Sequence, residues 1–142
     1  MSSSRQRCVA VVDGLGGGIG VQLVTKLREA LGVEAKIMAL GTNAIAAERM
    51  IKAGASCGAC GENAIVHSVS AADIITGPIG IVIGNSMMGE LTCAMAQAVL
   101  SAQGKRILLP IQNDHFSYAG IEVLPLSKMI EKTVALVTAG LQ

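Results

Sequence analysis

Apolar residues recur along the chain in short runs, each followed by a glycine-rich or polar gap and then by a stretch in which they return at helical spacing. "RCVAVVD" is β-branched and apolar without alternation, which predicts a strand buried on both faces. Ile19, Leu23, Leu27 and Leu31 then repeat every fourth position up to Gly32, which predicts a helix stopped by glycine. "VEAKIMALG" and "NAIAAERMIKAG" repeat the pair. "ASCGACG" holds a third, short strand, and "ENAIVHSVSAA" a short helix. "DIITG", "GELTCAMAQAVLSA" and "KRILLPI" predict a fourth strand, a helix and a fifth strand. A last helix, capped by Ser127, would turn Ile130, Val134 and Val137 inward.

Strands alternating with helices imply a parallel sheet covered on both faces, because parallel neighbours need a crossover connection and that crossover is usually a helix. The expected fold is therefore α/β: a three-layer, doubly wound, mostly parallel sheet of about five strands, Rossmann-like, in one domain over residues 1–142 with a flexible head at 1–6. The common doubly wound order would bring the loops after the first and fourth strands together at a switch point, where ligands bind in such folds.

The loops themselves sharpen this. "DGLGGGIG", "GTN", "GENA", "TGPIGIVIGNS" and "QNDH" would all lie along the carboxyl edge of the sheet, offering small residues and backbone N–H groups to a phosphate. Gly14, Gly18 and Gly20 fit G-x-x-x-G-x-G, similar to the cofactor loop of short-chain dehydrogenases, whereas in the dinucleotide fingerprint G-x-G-x-x-G the last glycine would fall on Ile19. The second strand ends in Thr42 and Asn43, not in the acid that usually holds the adenosine ribose. The only tyrosine, Tyr118, is followed four residues on by Glu122, so the Tyr-x-x-x-Lys pair of those dehydrogenases is missing. Asp13 would repel a pyrophosphate unless a metal or a proton intervened.

The expected binding residues for a nucleotide or dinucleotide are Gly14, Gly16, Gly17, Gly18, Ile19, Gly20, Thr42, Asn43, Glu62, Asn63, Thr76, Gly77, Pro78, Gly80 and Asn85. Asp13, Glu62 and His115 are the candidate acids or bases if the protein is an enzyme. Two plainer roles compete: glycine at a strand-to-helix turn also serves tight packing, and Thr42, Asn43, Glu62 and Asn63 also suit helix capping.

Composition excludes several other classes. Eleven basic and ten acidic residues leave a net charge of +1, and one Phe, one Tyr and no Trp leave no stacking platform, so no nucleic-acid partner is expected. The longest uncharged stretch, Ile74 to Gly89, is interrupted by Gly77, Pro78, Gly80, Gly84 and Asn85, and is shorter than the roughly 20 apolar residues a membrane span needs. Only five apolar residues stand between the basic patch and Asp13, too few for a secretory signal, so a cytoplasmic protein with reduced thiols is expected. An apolar content of 51% suits a homo-oligomer, most simply a dimer. Cys57 and Cys60 form a C-x-x-C that could serve thiol-redox or metal chemistry, although no second such pair exists; buried thiols are the expected reading, and no metal site is assigned.

In order along the chain, "DGLGGGIG", "ALGTNAIA", "KAGA", "GENAI", "GPIGIVIGNSMMGE" and "ILLPI" resemble an uncharacterised family of small bacterial proteins, domain of unknown function 3842. The resemblance spans about Cys8 to Leu126 and implies a cytoplasmic Rossmann-like α/β domain without assigning an activity. Cys57 and Cys60 stand outside that family's pattern. The functional expectation is a protein that binds a small phosphorylated ligand at the carboxyl edge, with a non-catalytic sensor or oligomeric assembly module as the alternative.

Overall fold

The computed structural model describes residues 5–111 and 117–142. Strand β1 (Cys8–Asp13) is followed by helix α1 (Gly18–Leu31), β2 (Lys36–Gly41) by α2 (Ala44–Lys52), and β3 (Cys57–Cys60) by α3 (Glu62–Ser68). Then come β4 (Ile74–Pro78), α4 (Cys93–Ser101), β5 (Lys105–Leu109) and α5 (Leu126–Gly140). The five strands form one sheet in the order β3-β2-β1-β4-β5, every pair parallel, as the doubly wound expectation requires.

The uniform burial of β1 has a simple cause. Val9 and Val11 pack into a layer with Leu23, Val24 and Leu27 of α1, Met50 of α2 and Val137 of α5, while Ala10 and Val12 face Ile65 of α3 and Met95 and Val99 of α4. Each fully buried Leu or Ile contributes roughly 1.5–3 kcal/mol by leaving water, and both faces of the central strand collect such residues. Helix α1 ends where expected, at Gly32, whose φ of 85° favours glycine.

Two helix starts differ from expectation. Helix α5 begins at Leu126 behind Pro125, with no side-chain cap, so Ser127 lies in its first turn and does not cap it; Ile130, Val134 and Val137 are nonetheless buried. Helix α4 starts only at Cys93, because Thr92 accepts from the Met95 amide and caps it there, leaving Gly89 to Leu91 outside. In the head, Arg5 donates to the Asp73 carboxylate and the Gln6 amide donates to the Glu34 carbonyl; residues 1–4 lie outside the described part.

The cysteines correct a second expectation. Cys8 is buried, but Cys57, Cys60 and Cys93 are exposed. Strand β3 is an edge strand paired with β2 alone, and all four of its residues are exposed. Because the strand is extended, positions three apart point to opposite faces and lie roughly 10 Å apart at about 3.3 Å per residue, beyond the ~7 Å limit for a disulfide. Among the described residues no group of three or more His, Cys, Asp or Glu could hold a metal ion. The C-x-x-C is therefore neither a disulfide pair nor a chelate in this backbone.

Candidate functional site

Between β1 and β4 the chain departs in opposite directions, to β2 on one side and to β5 on the other, which opens a crevice at the carboxyl edge. A cavity of about 500 Å³ occupies it. One wall comes from the first loop and helix, through Asp13, Leu15 and Ile19; the other comes from Pro78, Ile79, Gly80 and the segment Ile83 to Met87, with Ile111 closing the β5 side. The walls are mainly aliphatic, with Asp13, Asn85 and Ser86 as the polar side chains. Asp13 is the charged residue among them.

Asp13 explains much of the glycine loop. The residue is 5% exposed, and its carboxylate accepts from the Gly14 amide at 2.8 Å and from the Gly20 amide at 2.7 Å. Gly20 is the third residue of α1, so one of the helix's unpaired N-terminal amides is capped by a side chain from the end of β1. Burial pushes the Asp13 carboxyl above the ordinary carboxylate range, while the Gly20 and Gly14 amides pull it back and Glu90 adds a small upward push. Since the folded carboxyl holds its proton to higher pH than the unfolded one, this group's contribution to stability weakens as pH rises through the interval above its ordinary 3.8.

The glycines separate into two kinds by what a methyl group would meet. A Cβ on Gly14 would lie 2.4 Å from Thr42 Oγ1 and 2.7 Å from Met87 Sδ, and one on Gly20 would lie 2.4 Å from Met50 Sδ. Gly17, at φ 72°, sits against the backbone of Ala46. Those three are required by packing. Gly18 is not: it is exposed, its φ is ordinary, and a Cβ there would touch nothing within 4 Å. Among the described residues the amides of Gly16, Gly18 and Ile19 also have no acceptor. Arg49 on α2 places its guanidinium against the Gly16 carbonyl, bringing a cation to this loop.

A second carboxylate, which the sequence pattern did not single out, stitches the edge together. Glu90 Oε1 accepts from the Leu15 amide at 2.9 Å, from Thr42 Oγ1 at 2.6 Å and from Asn43 Nδ2 at 2.7 Å. These three bonds, Thr42 first, hold the Glu90 carboxyl below its ordinary 4.5. Asn43 meanwhile caps α2 by accepting from the Ala46 amide. Glu90 thus lies against Thr42 and Asn43, at the end of β2, where the ribose acid of a dinucleotide site is usually found, but it arrives from the β4 side and its contacts are with protein. The segment carrying it is bent sharply: Asn85, Met87 and Met88 all have positive φ, at 70°, 57° and 58°. Glu90→Gln is expected to lower stability by about 1 kcal/mol near neutral pH, a modest value because the group is partly exposed. Because the folded pKa is depressed, the difference between the two proteins should be full above the ordinary 4.5 and shrink as pH falls below it. Urea unfolding of both proteins at neutral and acid pH checks this, and equal midpoints at neutral pH would remove the stitching role.

Of the expected binding residues, Ile19, Pro78, Gly80 and Asn85 line the cavity, as does Asp13. Thr42 and Asn43 instead bond to Glu90, as above. Glu62 and Asn63 are exposed in the first turn of α3, beyond β3 and two strands from β1, and do not line the cavity. Thr76 is fully buried inside β4; its hydroxyl has no partner among the described residues, and it is not part of the cavity wall. Gly77 serves the strand pairing, as a Cβ there would lie 2.2 Å from the Val12 carbonyl. His115 lies outside the described residues.

The fold and this crevice define a Rossmann-like α/β protein with its cavity at the topological switch point. The chain belongs to the family described as domain of unknown function DUF3842, whose model matches residues 8–142. No curated protein matches it. Among solved structures it is similar to a dodecameric FMN-dependent Ubix-like decarboxylase from Escherichia coli O157:H7, at 19% identity and a TM-score of 0.47, over 94% of this chain and 76% of that one. No helix among the described residues is long and apolar enough to cross a membrane.

Proposed function

We propose that the cavity between β1 and β4 binds a small phosphate-bearing ligand, of mononucleotide size, with its ring between the aliphatic walls and its phosphate on the amides of Gly18 and Ile19. The observation that carries this reading is Gly18. Packing and backbone conformation explain Gly14, Gly17 and Gly20, but they leave Gly18 without a reason to be glycine. Close approach of a ligand to the first turn of α1 supplies one. Ile19 belongs both to that turn and to the cavity wall, so the two halves of the ligand would be continuous. Arg49 would add a cation beside the phosphate. A dinucleotide fits less well, because Met87 and Glu90 stand over Gly14, Thr42 and Asn43, on the side where the adenosine would extend.

The test is a thermal-shift panel of nucleoside monophosphates, dinucleotides and sugar phosphates, run on the wild type and on Gly18→Ala. A ligand at 100 times its dissociation constant stabilises by about 2.7 kcal/mol, which is readily seen. Gly18→Ala should leave the unliganded melting temperature unchanged or slightly raised, by under about 1 kcal/mol of stability, and should weaken the phosphate compounds by about tenfold or more. Equal shifts for both proteins would overturn the reading.

A homo-oligomer has its own support. Leu15 and Ile83 on the cavity wall and Met88 beside it are exposed, Met88 to 95%, so the rim of the cavity is an apolar surface. In that reading the ligand tunes assembly, and no catalysis is required. We place the protein in the cytoplasm, where its four free cysteines would stay reduced.

A further inference from the structure

We propose that Asp13 selects the head group of the ligand: the part entering the cavity is a planar nitrogen heterocycle that presents N–H donors, neutral or cationic, and an anionic head group is rejected. This deepens the function proposed above and rests on it for the position of the phosphate. The observation is a nearly buried carboxylate in a cavity whose walls are otherwise aliphatic or uncharged among the described residues. A carboxylate has about four acceptor positions, and Asp13 uses one on each oxygen, on the amides of Gly14 and Gly20. Capacity therefore remains for a donor that arrives through the cavity.

The arrangement fixes the polarity of the ligand. Asp13 places negative charge against the first turn of α1 from inside and takes up its Gly20 amide, whereas the amides of Gly18 and of the wall residue Ile19 have no acceptor among the described residues and are left to the ligand's phosphate. Negative charge on the ligand is thus favoured at the rim and opposed in depth, where little water screens two carboxylates from each other. Desolvating an N–H group among Ile19, Ile79, Ile83 and Ile111 would also be unfavourable without an acceptor, and Asp13 is the charged acceptor there. A head group able to donate gains that bond; one able only to accept leaves both partners unsatisfied.

Nicotinamide mononucleotide and nicotinate mononucleotide differ only in replacing a carboxamide, which donates, by a carboxylate. Titration calorimetry of both against the wild type, Asp13→Asn and Gly18→Ala, together with nicotinamide, nicotinate and ribose 5-phosphate, separates the two ideas. The wild type should prefer the amide compound by about tenfold or more, with or without the ribose phosphate, and Asp13→Asn should reduce that preference to about threefold or less. Gly18→Ala should weaken ribose 5-phosphate and both mononucleotides while leaving the amide preference intact. If the wild type binds the nicotinate compounds as tightly as the amides, or binds neither, the head-group assignment is wrong whatever the variants do. If the preference is present but Gly18→Ala leaves ribose 5-phosphate binding unchanged, the head-group assignment stands and the phosphate position falls. The wild-type comparison decides the matter even if Asp13→Asn proves too unstable to titrate.

Discussion

Gly77→Ala should lose about 3 kcal/mol of folding stability, a large share of the roughly 5–15 kcal/mol available to a domain of this kind. The residue lies in β4, next to β1, with φ 157°, and a methyl group there would be 2.2 Å from the Val12 carbonyl oxygen and 3.3 Å from Ile81 Cδ1. The first of these neighbours is backbone, so no rotamer change relieves it, and the β1–β4 pair would have to move apart. That pair frames the cavity. Guanidinium unfolding should show the loss as a lower midpoint at similar slope; a midpoint matching the wild type would mean that the two strands can separate easily.

Asp13→Ala should cost about 2–4 kcal/mol, because it strips the acceptor from two buried amides at once. Gly14, at the start of the loop, and Gly20, in the first turn of α1, are both buried, and among the described residues neither amide has another partner. Asp13→Asn keeps one acceptor oxygen and should lose less. If alanine and asparagine prove equally mild, the amides must find water or backbone acceptors, and Asp13 would no longer be what holds the loop in shape. Chemical unfolding of the two variants side by side gives the answer.

How far the sequence reveals this molecule depends on whether a feature repeats. The unbroken apolar run Val9 to Val12 and the helical spacing of Leu23 and Leu27 mark a doubly covered strand and a helix, so the layers follow from them, whereas the strand order β3-β2-β1-β4-β5 comes from the structure. The end of α1 at Gly32 is equally legible. Met87 and Glu90 belong to a segment of positive φ and short 3₁₀ turns, which has no period. Its contact with Thr42 and Asn43 joins residues more than 40 positions apart, which no local pattern records. A lone acid closing an otherwise uncharged stretch was the one available signal.

The glycine loop was legible in spacing but not in cause. G-x-x-x-G-x-G picks out Gly14, Gly18 and Gly20 together, yet two of them make room for Thr42, Met87 and Met50, and one makes room for nothing in the protein. Cys57 and Cys60 were misjudged for a related reason. Cysteine's general tendency to be buried says nothing about a four-residue edge strand paired on one side only, all of whose residues are exposed.

The phosphate position is the central claim, and amide chemical shifts read it most directly. Titrating ¹⁵N-labelled protein with a nucleoside monophosphate should move the Gly18 and Ile19 amides most within residues 14–20, with smaller changes at Gly14 and Gly20, whose N–H groups are already held by Asp13. Gly80 and Asn85, across the cavity, should move with them. A titration that shifts other parts of the protein and leaves Gly18 and Ile19 unmoved would contradict it.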